Sequence, residues 1–130
     1  MNWIDKLLDF RWVYIMKLKG TRQYKIGIAK NPKWRKKDID EAVKGEVRII
    51  MKRQTFFAES KEKKMHRIFK DVRFTKRGAG SGKTEWFRFN FIEAFIAKCW
   101  LYWYAHRFYI VVCAFGLLAV ILELIKEYSK

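Results

Sequence analysis

Between Phe108 and Leu122 the chain carries fifteen consecutive residues without a charge. Carried past Glu123 to Ile125 the run is 18 residues, about 27 Å as a helix against a hydrocarbon core of roughly 30 Å. Arg107 and Glu123 would then lie near the two interfaces, where a long side chain can snorkel. Trp100, Tyr102, Trp103, Tyr104 and Tyr109 supply the aromatic residues of an interfacial belt. The pattern predicts a membrane-spanning helix over about 108–125. The other reading of such a run is a buried core helix or a dimer helix.

Charge divides the chain at the same place. Past Arg107 the only charged residues are Glu123, Lys126, Glu127 and Lys130, which cancel, so the whole formal charge of +16 lies in residues 1–107. A domain this basic implies a polyanionic partner, nucleic acid or an anionic membrane surface, unless the charges form only a solvated face. The basic side is expected to stay in the cytoplasm, which makes the chain tail-anchored in the inner (cytoplasmic) membrane. With 51% hydrophobic and 18% aromatic residues the chain is no disordered basic tail, and 7 Gly with 1 Pro exclude a collagen-like one. Cys99 and Cys113 stand about 21 Å apart on one helix, too far for a disulfide. Asp5, Lys6, Asp9 and Arg11 interrupt the N-terminus, so no signal peptide is expected.

The length suits one small α/β (α+β) domain with a central antiparallel three-stranded sheet flanked by helices. A short amphipathic helix is expected over 2–9, within an N-terminal segment 1–10, and the domain over 11–99. The aromatic segment and span follow over 100–130. Trp12–Met16 and Tyr24–Ala29 read as a hairpin turning at Lys19-Gly20-Thr21. Asn31-Pro32 starts a helix that runs to about Lys44, with Gly45 as the left-handed residue after it. Val47–Thr55 is a third strand, Ala58–Phe69 a second helix and Glu85–Phe89 a short strand. Asn90 with Glu93 makes a capping box for a last helix that can run into the span.

Polar residues interrupt two apolar stripes. In the second helix the inward positions are Ala58, Glu62, Met65 and Phe69, so Glu62 falls on an apolar face with His66 at its edge. In the first long helix they are Pro32, Arg35, Ile39 and Ala42. A buried Arg35–Glu62 ion pair is one explanation. A site in a cleft lined by both helices and the sheet is the other.

The order Val13-Tyr14, Lys25-Ile26-Gly27, Asn31-Pro32, Arg35, Glu62-x-x-x-His66 and Glu85-Trp86-Phe87 resembles the GIY-YIG nuclease superfamily, in its orf172-type branch. The likeness covers residues 12–89, with Arg35 eight residues after Gly27. Two motifs depart from the wider pattern: Trp12-Val13-Tyr14 keeps only the tyrosine, and Lys25 stands where a tyrosine is usual. Tyr24 is displaced by one residue and points to the opposite face.

The resemblance implies a metal-dependent DNA endonuclease. Tyr14 would take a proton from water if a nearby cation lowers its pKa. Lys25 would be that cation or the base itself. Arg35 would stabilise charge on the phosphorane, and Glu62 would hold Mg²⁺ or Mn²⁺. His66 is a second base or a scaffold residue. Glu85 either supports the site from behind or is a surface residue beside a core Trp86. Arg73, Lys76, Arg77 and Lys83, in a loop over 72–84, and Lys30, Lys33 and Lys36 are expected to contact DNA phosphates without reading sequence.

The stretch Gly78–Thr84 resembles a P-loop, but Arg77 stands where the motif needs glycine, so no nucleotide cofactor is expected. The whole then reads as a membrane-tethered endonuclease acting at the cytoplasmic face, in phage defence or superinfection exclusion, with a homodimer compatible. The alternative is a catalytically inactive GIY-YIG fold that binds DNA at the membrane. A third reading is a small membrane protein whose charges face anionic lipid.

Overall fold

The computed structural model describes residues 3–78 and 85–130. A short helix α1 (Trp3–Leu8) leads into β1 (Arg11–Leu18), which pairs antiparallel with β2 (Gln23–Ala29). Gly20 makes the hairpin possible with a φ of 76°, a left-handed conformation that a side chain would resist. Thr21 closes the turn by donating its hydroxyl to the Leu18 carbonyl at 2.8 Å.

Helix α2 (Pro32–Val43) begins where Asn31 accepts the backbone N–H groups of Lys33 and Trp34, with Pro32 as its first residue. Its end differs from expectation. The left-handed residue is Lys44, with a φ of 52°, and not Gly45. The turn that returns the chain through Gly45 to Asp40 is made one residue earlier.

Strand β3 (Val47–Thr55) lies on the other side of β1, with a register shift between Ile15 and Met16. Helix α3 (Ala58–Ile68) and a single 3-10 turn (Lys70–Val72) follow. The sheet has five strands and not three: β4 (Arg73–Phe74) and β5 (Trp86–Arg88) extend it past β2, giving the order β3-β1-β2-β5-β4. Strands of two and three residues are too short to show a period of two, so the pairing of β5 with β2 and of β4 with β5 is invisible in hydropathy.

Each face of the sheet packs its own core. Tyr14, Met16 and Trp86 lie with Ile39 of α2 and Val47. Val13, Ile15, Ile26 and Phe87 lie with Met65 of α3 and with Ala97 and Leu101 of the last helix. Tyr24 belongs to this second core, opposite Tyr14, as strand alternation requires.

The last helix, α4 (Phe91–Tyr128), is unbroken over 38 residues, about 57 Å. Its first turn is fixed by the capping box: Asn90 accepts the Glu93 N–H at 2.7 Å, and the Glu93 carboxylate accepts the Asn90 N–H at 3.0 Å. Ala94, Ala97, Leu101 and Ala105 bury one stripe of α4, so its packed stretch runs past residue 99. From Phe108 onward every residue is exposed, which overturns the reading of the apolar run as a core helix of this chain. Among the described residues one helix is long and apolar enough to cross a membrane.

Candidate active site

The hairpin register places Tyr14 directly across from Gly27 and Met16 across from Lys25, while β5 sets Trp86 against Lys25. These side chains therefore share the face covered by α2. Gly27 is the position where the backbone must be bare. A Cβ there would lie 2.5 Å from the Tyr14 hydroxyl oxygen and 3.3 Å from Glu85 Oε2, so the phenol and the carboxylate both rest on this glycine.

β5 pairs with β2 only as far as Lys25. The Glu85 carbonyl then accepts the Ile26 N–H at 3.2 Å. This puts the Glu85 side chain in the notch where β2 continues past the end of β5. There its Oε2 meets Lys25 Nζ at 2.8 Å. Lys25 is only 1% exposed and lies over the Trp86 ring at 5.6 Å. Burial pulls the Lys25 ammonium down from its ordinary pKa, and Glu85 opposes that shift. Glu85 is the partner of a buried cation, the contact that a residue supporting the site from behind would make.

The Tyr14 hydroxyl is buried and makes no hydrogen bond of good geometry among the described residues. Burial pushes its pKa up to about 12, although the adjacent Arg35 guanidinium favours the ionised form. The condition under which Tyr14 would take a proton from water, a pKa lowered by a nearby cation, is therefore not met by Arg35 alone. The cation acting on Tyr14 is Arg35, and its pull is smaller than the cost of desolvating a phenolate. Arg35, half-buried on α2, is a cation as any guanidinium is; burial lowers its pKa and the Tyr14 contact more than offsets that. It does not pair with Glu62: among the described residues no carboxylate lies within ion-pair distance of Arg35.

Glu62 and His66 come from α3, on the other side of the notch. With Glu85 they line a cleft of roughly 770 Å³. Glu62 is 8% exposed. Burial raises its pKa to about 7, and the charge of Glu85 adds to the shift. His66 Nε2 lies 2.8 Å from the Ile26 carbonyl. A carbonyl only accepts, so Nε2 carries the proton and the ring is tied to β2. Burial lowers its pKa and keeps it neutral. Its bond to the backbone and its edge contact with Phe87, at 5.1 Å between centroids, are what a scaffold residue makes.

Glu85 is thus common to both halves, touching the Tyr14–Gly27–Lys25 group and facing the Glu62 cleft. Among the described residues no three His, Cys, Asp or Glu side chains cluster to hold a metal. Two neighbouring carboxylates, one with its pKa raised in part by the other, do fit a hard divalent cation that keeps most of its waters. A cation there would offset both the burial and the Glu85 charge that raise the Glu62 pKa.

Titration tests this pair. A carboxyl whose folded pKa exceeds its unfolded value binds more protons when folded, so it lowers stability as pH rises from about 4.5 to about 7. His66, with its folded pKa lowered, acts in the opposite sense as pH rises through the ordinary histidine range. We expect Glu62→Gln to melt at a higher temperature than wild type at pH 8 without metal, the difference corresponding to about 3 kcal/mol and vanishing at pH 4. Thermal melts of both chains across this range check it.

The basic residues expected at DNA divide. Lys30, Lys33 and Arg77 are exposed, and Arg73 lines the cleft. Lys36 is tied to Asp40 at 2.8 Å, and Lys76 donates to Gln23 Oε1 at 2.6 Å while lying over Trp86. Lys83 lies outside the described residues. Lys63, Arg67 and Lys70 also line the cleft. Their spacing of four and three, along α3 and into the 3-10 turn after it, was a legible signal of a basic face.

A model of the T5orf172 domain matches residues 11–103. The chain belongs to the T5orf172 domain family. The match takes in β1 through most of the packed stretch of α4 and stops before the apolar run. T5orf172 domains are associated with endonuclease-like proteins, and membership supports a nuclease-like function acting on DNA. No curated protein and no solved structure matches the chain.

Proposed function

We propose that this T5orf172 chain is a membrane-tethered, metal-dependent endonuclease of the GIY-YIG type that hydrolyses DNA phosphodiester bonds. One observation carries the reading. Tyr14 and Glu85 converge over a glycine that admits no Cβ, with Arg35 on one side and the Glu62 cleft on the other.

Glu62 and Glu85 would hold one Mg²⁺ or Mn²⁺, which would supply Lewis-acid stabilisation of the phosphate and leaving oxygen. The rest is the work of side chains. Arg35 offers a planar fork to the equatorial phosphate oxygens, and a phosphate drawn to it would pull the guanidinium off the Tyr14 hydroxyl. The uncovered phenol, neutral at pH 7, positions the attacking water as donor and acceptor. Taking a proton from that water requires positive charge beyond that of Arg35. Lys25 stays paired with Glu85 and holds the carboxylate in place, while His66 fixes α3 to β2. Lys63, Arg67 and Arg73 would bind flanking phosphates, so affinity would fall steeply with salt.

Helix α4 would cross the inner membrane and keep the basic domain at its cytoplasmic face. There it would meet DNA crossing that membrane, which suits phage defence or superinfection exclusion. A second reading, an inactive DNA-binding tether, draws on the buried Tyr14 hydroxyl with its raised pKa.

Supercoiled plasmid incubated with the full chain in detergent separates the two. The nuclease nicks or linearises it with Mg²⁺ or Mn²⁺ and not with EDTA. Binding without cleavage under either metal identifies the tether.

A further inference from the structure

A group of exposed apolar side chains gathers at one corner of the domain. Trp3, Ile4 and Leu8 of α1 are exposed there. Phe10, Phe56 and Phe57 lie beside them, with the Phe10 and Phe56 rings 4.5 Å apart. The corner is built and not frayed. The Phe57 N–H donates to the Leu8 carbonyl at 3.0 Å, the Ala58 N–H to the Asp9 carbonyl at 3.1 Å, and the Glu59 N–H to the Asp9 carboxylate at 2.7 Å. Asp9 and Phe57 hold it with φ values of 37° and 56°, left-handed conformations that bulky side chains resist. Strain spent on presenting a phenylalanine to solvent calls for a function.

Cations crowd the same corner. Lys61 donates to the hydroxyl of Thr55, which pairs with Arg11 across β1. Lys64 and Arg107 each lie over the Tyr104 ring, at 5.7 and 5.9 Å, with Trp100 stacked on that ring at 5.3 Å. Arg53 lies 5.9 Å over Tyr102. Among the described residues none of Arg53, Lys61, Lys64 and Arg107 has a carboxylate in ion-pair contact. Lys61 has its pKa lowered by burial and by the charges of Arg107 and Lys64, so like charges are held together against repulsion.

α4 leaves the domain through this corner, and after Arg107 it is apolar and exposed. The cations therefore stand where the helix would enter the bilayer. The anions at that level are lipid phosphates, with aromatic side chains at the headgroup boundary around them.

We propose that this corner is a membrane-docking face for anionic lipid headgroups, with Phe10, Phe56 and Phe57 entering the interface and Arg53, Lys61, Lys64 and Arg107 binding lipid phosphate. The proposal rests on α4 spanning the membrane. It goes beyond tethering, because a docked domain has a fixed attitude and a tethered one tumbles on its helix.

The test is hydrogen exchange on the full chain in nanodiscs of phosphatidylcholine, or of phosphatidylcholine with phosphatidylglycerol. Amides over 3–10 and 56–61 should exchange at least about tenfold more slowly in the anionic discs. Arg53→Glu with Lys64→Glu should remove that difference, and Phe56→Ser, which leaves every charge in place, should reduce it. Equal exchange in the two lipids overturns the proposal, as does protection by duplex DNA in neutral discs in place of protection by lipid. Alkaline carbonate extraction reports on the span separately. A chain that resists extraction but shows no lipid-dependent protection overturns the docking face alone, and a chain that is extracted overturns the span on which it rests.

Discussion

Arg35→Ala is expected to bind DNA nearly as well as wild type and to cut it at least about 10²-fold more slowly, the usual cost of losing one charge-stabilising donor in a preorganised site. The split follows from geometry. Arg35 has no carboxylate partner among the described residues, so its removal leaves no acid orphaned. Its contact is the Tyr14 hydroxyl, whose ionised form it favours. Binding should hold because the basic wall of the cleft, with Lys63 and Arg67 of α3 and Lys70 just after it, remains. Single-turnover cleavage and fluorescence anisotropy on the same preparation separate the two quantities. Loss of both in equal measure would make Arg35 a DNA-binding residue and no more.

Gly27→Ala should damage the site by a different route. The new methyl would meet the Tyr14 hydroxyl at 2.5 Å and Glu85 at 3.3 Å. The tyrosine ring is fully buried between the strands and α2, so it has little room to yield. Overpacking of this kind costs about 1–3 kcal/mol of stability. A shift of roughly 1 Å in a catalytic group costs about 10²-fold in rate. Tyr14→Phe is the contrast. It removes a buried hydroxyl that makes no hydrogen bond of good geometry among the described residues and loses only the contact with Arg35, so stability should hold or rise while cleavage falls. Thermal melts with cleavage rates on both variants distinguish a displaced phenol from a disrupted sheet. A Tyr14→Phe chain as active as wild type would remove the hydroxyl from the mechanism.

Much of this was legible in one dimension because its causes are local. Asn31-Pro32 and Asn90 with Glu93 start helices through contacts within a single turn. The bounds of β3 followed from its β-branched residues and flanking breaks. Glu62 stood out because the helical period asked for an apolar residue there, and it is buried as that period required.

What stayed hidden depends on contacts across the sheet. Lys25 and Glu85 are 60 residues apart, and nothing in either segment shows that one neutralises the other. Arg35 and Glu62 were both out of place on their stripes, which made an ion pair between them a natural inference. They lie on helices covering opposite faces of the sheet, and each found a different neighbour. Tyr14 was found by its motif, but its raised pKa comes from burial that only tertiary packing supplies.

The central claim is that Glu62, Glu85, Arg35 and Tyr14 form one metal-dependent phosphodiester site. It is tested most directly by single-turnover plasmid cleavage with Mn²⁺, comparing wild type and Glu62→Gln purified in parallel. Gln keeps the shape and removes the charge, and circular dichroism verifies that both chains are folded. The account predicts metal-dependent cleavage by wild type and at least about 10²-fold less by the variant. Equal cleavage by the two chains, or none by wild type with DNA still bound, would contradict it.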